Sequence, residues 1–444
     1  MRQSDLFKDK HFWPLFWTQA CGAFNDNLFK IALITLVNTQ PKGFSLAGMQ
    51  SKTLQTLAVG LFILPFFLFS ATAGLMADKY EKSALIRRIK FGEIVIMGVG
   101  VFGFVTGNIG LLILVLFFMG AQSTLFGPLK YSILPQHLPH NALTAANGLI
   151  EMATFLAILL GTLLGGLLIL HQPYGVALIS CTIMVVAVAG WLFSWKIPLA
   201  PPPTPDSKLS FNIFTQTRKQ MKHARRNPVI FFTLIGISWF WFFGATLLTL
   251  MPPLASDDFK ASAAVSTFML AALSVGIGLG SILCDKLASK QSASYLVPLG
   301  AVGMTLFGLD LAFATQQLSS LATLRATTVD LAPFVSNFHG IRLFFDLFSF
   351  GVASGFYIVP LYVIMQERSD VEHRSRTIAA NNIMNAAFMV VSALLILFMF
   401  GAGAQSTHVM LTVALLNIPV CALVFWKLPE LVVACLQVLK LKKL

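Results

Sequence analysis

Apolar runs of about 20 residues recur along the chain, near 12–38, 53–77, 91–107, 109–130, 142–170, 174–196, 228–253, 263–284, 293–316, 338–365, 377–401 and 407–426. At 1.5 Å of rise per residue, each is long enough to cross a hydrocarbon layer roughly 30 Å thick, so the pattern predicts twelve transmembrane helices. A polar, proline-rich stretch, Ile197-Pro198-Leu199-Ala200-Pro201-Pro202-Pro203-Thr204-Pro205 running on to Arg226, separates the sixth run from the seventh. The chain therefore divides into an N-terminal six-helix half (1–197), a linker (198–227), a C-terminal six-helix half (228–428) and a basic, interfacial tail (429–444).

Polar residues inside these runs are the informative exceptions. The first run holds Asn25, Asp26, Asn27 and Lys30 within two helical turns, with Asp26 near its middle. A charge at that depth costs on the order of 3 kcal/mol or more in hydrocarbon, so this face is expected to meet a partner or a watery cavity. Asp26 and Lys30 are four residues apart and are expected to neutralise each other. The cluster reads as the lining of a substrate path in preference to a helix-packing ion pair. Glu151 follows Asn147 by one turn and shares its helical face, and Lys130 ends the fourth run. Arg342 and Asp346 repeat the four-residue spacing and read as a structural bridge. Glu93, at the start of the third run, is expected to snorkel to the interface. Asp310 has no assigned role.

Composition removes the soluble alternatives. With 56% hydrophobic and 11% charged residues, the chain falls far below the charged fraction of about 25% in soluble domains. The net charge of +13 does not point to nucleic acid, because the basic residues gather in alternate loops. The loops away from the termini hold only Lys42, Lys52, Lys260 and Arg325, which predicts both termini on the cytoplasmic side. Lys82, Arg87, Arg88 and Lys90 count among the cytoplasmic loop charges. The five cysteines are scattered through apolar runs without paired spacing, and the eight histidines show no ligand pattern. No phosphate loop, nucleophile elbow or acyltransferase His/Asp pair is present, so neither enzyme activity nor a cofactor or metal is expected. MRQSDLFKDK leads directly into a full span, which argues against a cleavable signal peptide.

Two further features bear on movement. Pro128-Leu129 followed by Ala145-Ala146-Asn147 has a counterpart in Pro360-Leu361 followed by Ala379-Ala380-Asn381, an internal repeat relating the two halves. Gly74-Leu75-Met76-Ala77-Asp78-Lys79 resembles the loop signature of the major facilitator superfamily, as does the six-plus-six arrangement of spans. In that resemblance Gly74 permits close helix approach, while Asp78 and Lys79 take part in gating. Ser281-Ile282-Leu283-Cys284-Asp285-Lys286 is a weaker copy lacking the glycine. The 40 phenylalanines, clustered as in Ser238-Trp239-Phe240-Trp241-Phe242-Phe243, read mainly as packing or lipid contact.

Ala23-Phe24-Asn25-Asp26-Asn27-Leu28-Phe29-Lys30, Gly127-Pro128-Leu129-Lys130-Tyr131-Ser132, Ala146-Asn147-Gly148-Leu149-Ile150-Glu151 and Phe356-Tyr357-Ile358-Val359-Pro360-Leu361 together resemble the bacterial lysophospholipid transporter family (LplT). His373-Arg374-Ser375-Arg376 and Lys427-Leu428-Pro429-Glu430 are similar to the branch fused to 2-acylglycerophosphoethanolamine acyltransferase and acyl-ACP synthetase. The resemblance implies transfer of lysophosphatidylethanolamine and related lysolipids from the outer to the inner leaflet of the bacterial inner membrane, with a separate acyltransferase as partner. It assigns substrate-path roles to Asp26, Asn27, Lys130, Asn147 and Glu151. On chemistry, Lys30 and Lys130 suit the phosphate, Asp26 and Glu151 the ammonium, and Asn25, Asn27 and Asn147 the hydrogen bonds between. Leu248 and Asn385 stand where stand-alone members tend to carry an arginine and an acid. A proton-linked permease for a siderophore, drug or other small molecule is the second reading, and a docking subunit for a soluble acyltransferase the third.

Overall fold

Each apolar run becomes a helix in the computed structural model, which describes residues 3–39, 51–207, 212–288, 293–323 and 327–439. The spans are α1 Trp13–Thr39, α2 Ser51–Lys79, α3 Lys82–Thr106, α4 Ile109–His137, α5 Leu143–Ile169, α6 Gly175–Ser194, α7 Pro228–Pro253, α8 Ala263–Leu287, α9 Leu296–Thr323, α10 Phe338–Arg368, α11 Arg374–Gly401 and α12 Ser406–Lys427. All twelve are long and apolar enough to cross a membrane. Of the orientation-setting charges, Arg2, Lys42, Lys208, Lys290, Arg325, Lys440, Lys442 and Lys443 lie outside the described residues, as does the side chain of Lys52.

Two boundaries differ from the sequence expectation in ways that matter later. Helix α3 begins at Lys82 rather than near 91, because the Glu81 carboxylate caps it, accepting from Ser83 N at 2.9 Å and Ala84 N at 2.6 Å. Lys82 and Lys90 are therefore helical and buried instead of lying in a loop. Helix α4 continues through Pro128 and Pro135 to His137, so Lys130 is inside the helix and not at its end.

The linker is tied down. It contains a helix, Ile213–Arg226, whose Gln220 Nε2 donates to Ala71 O of α2 at 2.7 Å. The proline strap ahead of it is pinned at Ala200, whose N donates to Glu81 Oε1 at 2.8 Å while its O accepts from Lys82 N at 3.1 Å. Gln136 Nε2 donates to Pro201 O at 3.0 Å. After Lys427 the tail forms a helix, Pro429–Val438, that buries Leu431 and Cys435.

The chain forms two compact units, and each half of the sequence lends a short piece to the other. The first unit comprises 1–146, 156–226 and 369–383; the second comprises 147–155, 227–368 and 384–444. The first has a core of Leu28, Phe29, Phe104, Leu112, Met119, Ile179 and Ile183. Within it α1 and α5 touch backbone to backbone: a Cβ on Gly161 would lie 2.6 Å from Phe24 O, and one on Gly165 2.6 Å from Leu28 O. In the second unit the aromatic run of α7 fills the interior, with Phe243 edge-on to Phe350 at 4.7 Å and Trp239 stacked on Phe242 at 4.8 Å.

Two outcomes check this layout. Gly161→Leu is expected to cost about 1–3 kcal/mol through overpacking and to lower the thermal midpoint of the purified protein, whereas Gly98→Leu, where a Cβ meets nothing within 4 Å, leaves it in place. The second concerns Glu81. Burial opposes its ionisation, but hydrogen bonds from Ala200, Ser83 and Ala84 outweigh that and hold its carboxyl below the usual range. A depressed carboxylate stabilises above its unfolded value and stops doing so as pH falls through the folded one. Glu81→Ala, removing a cap worth about 1 kcal/mol, is expected to speed hydrogen exchange across the strap at neutral pH. The wild-type protein loses the same protection only below the normal carboxylate range.

Candidate functional site

Three helices of the first unit converge on a buried polar cluster: α1 contributes Asn25, Asp26, Asn27 and Lys30, α3 contributes Lys90 and Glu93, and α4 contributes Gln122 and Ser123. At its base Glu93 Oε2 accepts from Lys90 Nζ at 2.7 Å and from Gln122 Nε2 at 3.0 Å. Its other oxygen accepts from Asn25 Nδ2 at 3.4 Å, and the same nitrogen reaches Ile183 O on α6 at 3.1 Å. The Lys90 and Glu93 side chains are 1% and 4% exposed. Withdrawing two ions from water costs several kcal/mol each, and their mutual attraction offsets this only with further hydrogen bonds. Gln122 and Asn25 supply those, and the Phe126 ring lies 4.8 Å from Lys90 Nζ. Gly22 makes room for the ammonium, since a Cβ there would lie 2.5 Å from Lys90 Nζ.

Above this base the α1 face is only half-buried. Ser123 Oγ lies 2.6 Å from Asp26 Oδ2 and 3.2 Å from Gln122 Oε1. Lys30 Nζ donates to Asn27 Oδ1 at 3.1 Å, and Asn27 Nδ2 donates to Ala23 O at 2.8 Å. The expected bridge between Asp26 and Lys30 is thus replaced: among the described residues, Asp26 turns to Ser123 and Lys30 to Asn27. Gln122 links the two levels, binding Glu93 through its nitrogen and Ser123 through its oxygen. The cluster carries two formal charges of each sign, from Asp26, Glu93, Lys30 and Lys90.

Glu93 and Lys90 were not legible as a site. Glu93 does not snorkel and Lys90 is not a loop charge; both are sealed inside the bundle. The signal that could have found them is the shortness of the run at 91–107, whose extension toward the N-terminus places both at (i, i+3) spacing within one span.

The other candidates lie elsewhere. Lys130 belongs to the first unit, with Nζ 4.5 Å from the Tyr131 ring. Asn147 and Glu151 fall in the piece of α5 that belongs to the second unit, and both are fully buried. Asn147 forms a reciprocal amide pair with Gln366 of α10, at 2.7 and 3.0 Å. Asn385 accepts from Ser238 Oγ at 2.8 Å, and Trp239 Nε1 donates to Asn417 Oδ1 at 2.6 Å. Arg342 does not bridge to Asp346. It makes a two-pronged contact with Asp310 of α9, Nε to Oδ2 at 3.0 Å and Nη2 to Oδ1, and donates from Nη1 to Gln317 at 3.2 Å.

The loop signature holds the end of α2 against the start of α11, inside the first unit. Asp78 is fully buried; Oδ1 accepts from Ser375 N at 3.2 Å, in the first turn of α11, and Oδ2 meets Arg376 Nε at 3.1 Å. A Cβ on Gly74 would lie 2.7 Å from Ala379 Cβ. Thr204 of the strap closes the arrangement, with N donating to Asp78 O at 3.0 Å and Oγ1 accepting from Arg376 Nη2 at 3.4 Å. Lys79 lies over Tyr80, 6.0 Å from Nζ to ring centre. Among the described residues no three His, Cys, Asp or Glu side chains are placed to hold a metal ion.

Residues 15–393 match the profile of the Major Facilitator Superfamily. The chain is 30% identical over 355 residues to the lysophospholipid transporter LplT of Klebsiella pneumoniae subsp. pneumoniae, and 28% over 363 residues to that of Salmonella heidelberg; each comparison covers 79% of this chain and 78% of the relative. Among solved structures, the human organic anion transporter MFSD10 superposes with a TM-score of 0.73 at 12% identity, covering 94% of this chain and 99% of that one. The Escherichia coli fucose:proton symporter FucP gives 0.65 at 15% identity, covering 94% and 98%. These likenesses support the twelve-helix fold, and the matched relatives are transporters rather than enzymes.

The base of the cluster can be tested apart from any substrate. Glu93→Gln leaves Lys90 as a buried cation without a counter-charge and is expected to destabilise the protein by about 3–5 kcal/mol. Adding Lys90→Met to it should recover most of that loss in thermal unfolding of the purified protein.

Proposed function

Because the chain belongs to the Major Facilitator Superfamily and, within it, to the family of the lysophospholipid transporter LplT, we propose that it carries lysophospholipids, chiefly lysophosphatidylethanolamine, from the outer to the inner leaflet of a bacterial inner membrane for reacylation. The observation that carries this reading is the half-buried α1 face, where Asp26 and Lys30 offer opposite charges over a base that is itself neutral overall. A zwitterionic head needs a cation for its phosphate and an anion for its ammonium, held where water is scarce, while its single tail stays in an apolar environment. Lys30 takes the phosphate and Asp26 the ammonium, with Asn27 and Ser123 exchanging their present hydrogen bonds for bonds to the head. The family likeness gives Lys130, in the first unit, and Glu151, in the second, substrate-path roles as well. Asn25 and Asn147 act chiefly as supports, since their amides are engaged by Glu93 and Ile183 and by Gln366 respectively.

Transport by alternating access requires the cytoplasmic ends to part. The bias of basic residues toward the termini supports a cytoplasmic side for the Asp78 contact, and in this reading Gly74, Asp78 and Arg376 form the closure that releases as the path opens inward. Lys79 lies at the rim of this closure. Reacylation falls to a separate acyltransferase.

One observation favours a second reading. Ser123 Oγ can donate to an ionised Asp26, or accept from a protonated one and donate to Gln122, so both protonation states of Asp26 are satisfied. That suits a proton-linked permease for a soluble compound.

Asp26→Ala separates the readings. The variant is expected to insert normally and to lose at least about tenfold of labelled lysophosphatidylethanolamine uptake, as for a charge-assisted bond worth 1.4 kcal/mol or more. Full uptake by a well-inserted variant, or substrate-dependent proton flux without lysolipid movement, contradicts lipid transport. Gly74→Leu, which drives a side chain into Ala379 and the α11 backbone, is expected to abolish net transport while lysolipid binding is retained; unimpaired transport removes the gating role.

A further inference from the structure

The Arg342–Asp310 pair belongs to the second unit and has no part in the cluster described above. It lies at an unusual place: on an otherwise apolar exterior. Asp310 shares the outer stripe of α9 with Leu306 and Phe313, which are 61% and 53% exposed, and Arg342 neighbours Phe345, 60% exposed, on α10. Large apolar side chains exposed in such a row mark the face turned to hydrocarbon. The ion pair on that face is itself open, with Asp310 41% and Arg342 26% exposed. Ionisable groups facing lipid are costly and rare, and a tie between helices would be met as well by apolar packing.

Depth supplies the second observation. Just beyond this level α9 turns polar, through Gln316, Gln317, Ser319 and Ser320, and Arg342 stands in the first turns of α10. The pair therefore lies at the border between apolar and polar surface, where lipid headgroups meet the protein. Of the five guanidinium N–H groups, three are engaged by Asp310 and Gln317, and each carboxylate oxygen retains lone-pair capacity. We infer that Arg342 and Asp310 form a perimeter binding site for a phospholipid headgroup that carries both a phosphate and a primary ammonium. The phosphate bridges onto the guanidinium, the ammonium onto the carboxylate, and Leu306, Phe313 and Phe345 line the acyl chain. Such a headgroup reaches the site either as part of a resident bilayer phospholipid or as a lysophospholipid. The site is read from its own geometry and stands whether or not lysolipid crosses the protein.

Native mass spectrometry of the purified full-length protein, titrated with phosphatidylethanolamine, lysophosphatidylethanolamine and phosphatidylglycerol, tests it. Wild type is expected to retain the ethanolamine lipids about tenfold more tightly than Arg342→Gln/Asp310→Asn does, the change for two lost charge-assisted bonds that weak hydrogen bonds partly replace. Retention of both ethanolamine lipids identifies a resident lipid; retention of the lysolipid alone identifies a transported one. Equal retention by wild type and variant, or equal retention of phosphatidylglycerol and phosphatidylethanolamine by wild type, overturns the site. Should the variant fail to fold, a photoreactive ethanolamine headgroup applied to wild type decides. It must label peptides within 306–317 or 338–345, and labelling confined elsewhere overturns the inference.

Discussion

The ion pair of Lys90 with Glu93 is the constraint on which the candidate site depends. Buried charges persist only where every donor and acceptor is met, and here that requirement recruits Asn25 from α1 and Gln122 from α4. Three helices are thereby fixed at one level by polar contacts that tolerate little displacement. Gln122, turned by Glu93, presents its oxygen to Ser123, and Ser123 presents its hydroxyl to Asp26. The half-buried acid on α1 thus inherits its position from a pair sealed within the helices.

Close packing does the rest of the positioning. Gly161 and Gly165 bring α5 against the backbone of α1 beside Asn27, so α1 is held between a glycine seam and an ionic base. At the end of the first unit, Asp78 serves three groups at once: the amide of Ser375, the guanidinium of Arg376 and, through its carbonyl, Thr204 of the proline strap. Connections that the composition marks as a linker are therefore structural parts, tying the strap to the first turns of α3 and α11.

Much of this was legible in the sequence because a bilayer imposes simple rules. Run length and the paucity of charge gave the twelve spans, and Asp26 stood out because hydrocarbon makes a lone carboxylate expensive. The Gly74-to-Asp78 spacing likewise marks a close helix approach. What escaped was long-range pairing. Glu93 and Lys90 sit where hydropathy windows see the edge of a loop, and only the Glu81 cap reveals that the helix begins earlier. Four-residue spacing suggested Asp26 with Lys30 and Arg342 with Asp346. In each case a neighbouring chemistry won: the Ser123 hydroxyl across the helix interface, the Asn27 amide one turn away, and the Asp310 carboxylate on α9. Periodicity fixes which residues share a face, not which face meets it.

Under the proposed function, the polar cluster of α1, α3 and α4 shelters a zwitterionic head while it crosses. The most direct test is the transfer of labelled lysophosphatidylethanolamine between the leaflets of vesicles containing the purified protein. Transfer at least about tenfold faster than in protein-free vesicles is expected, as a barrier lowered by 1.4 kcal/mol or more requires. Identical rates with and without the protein, while a soluble compound moves through the same vesicles, would contradict it.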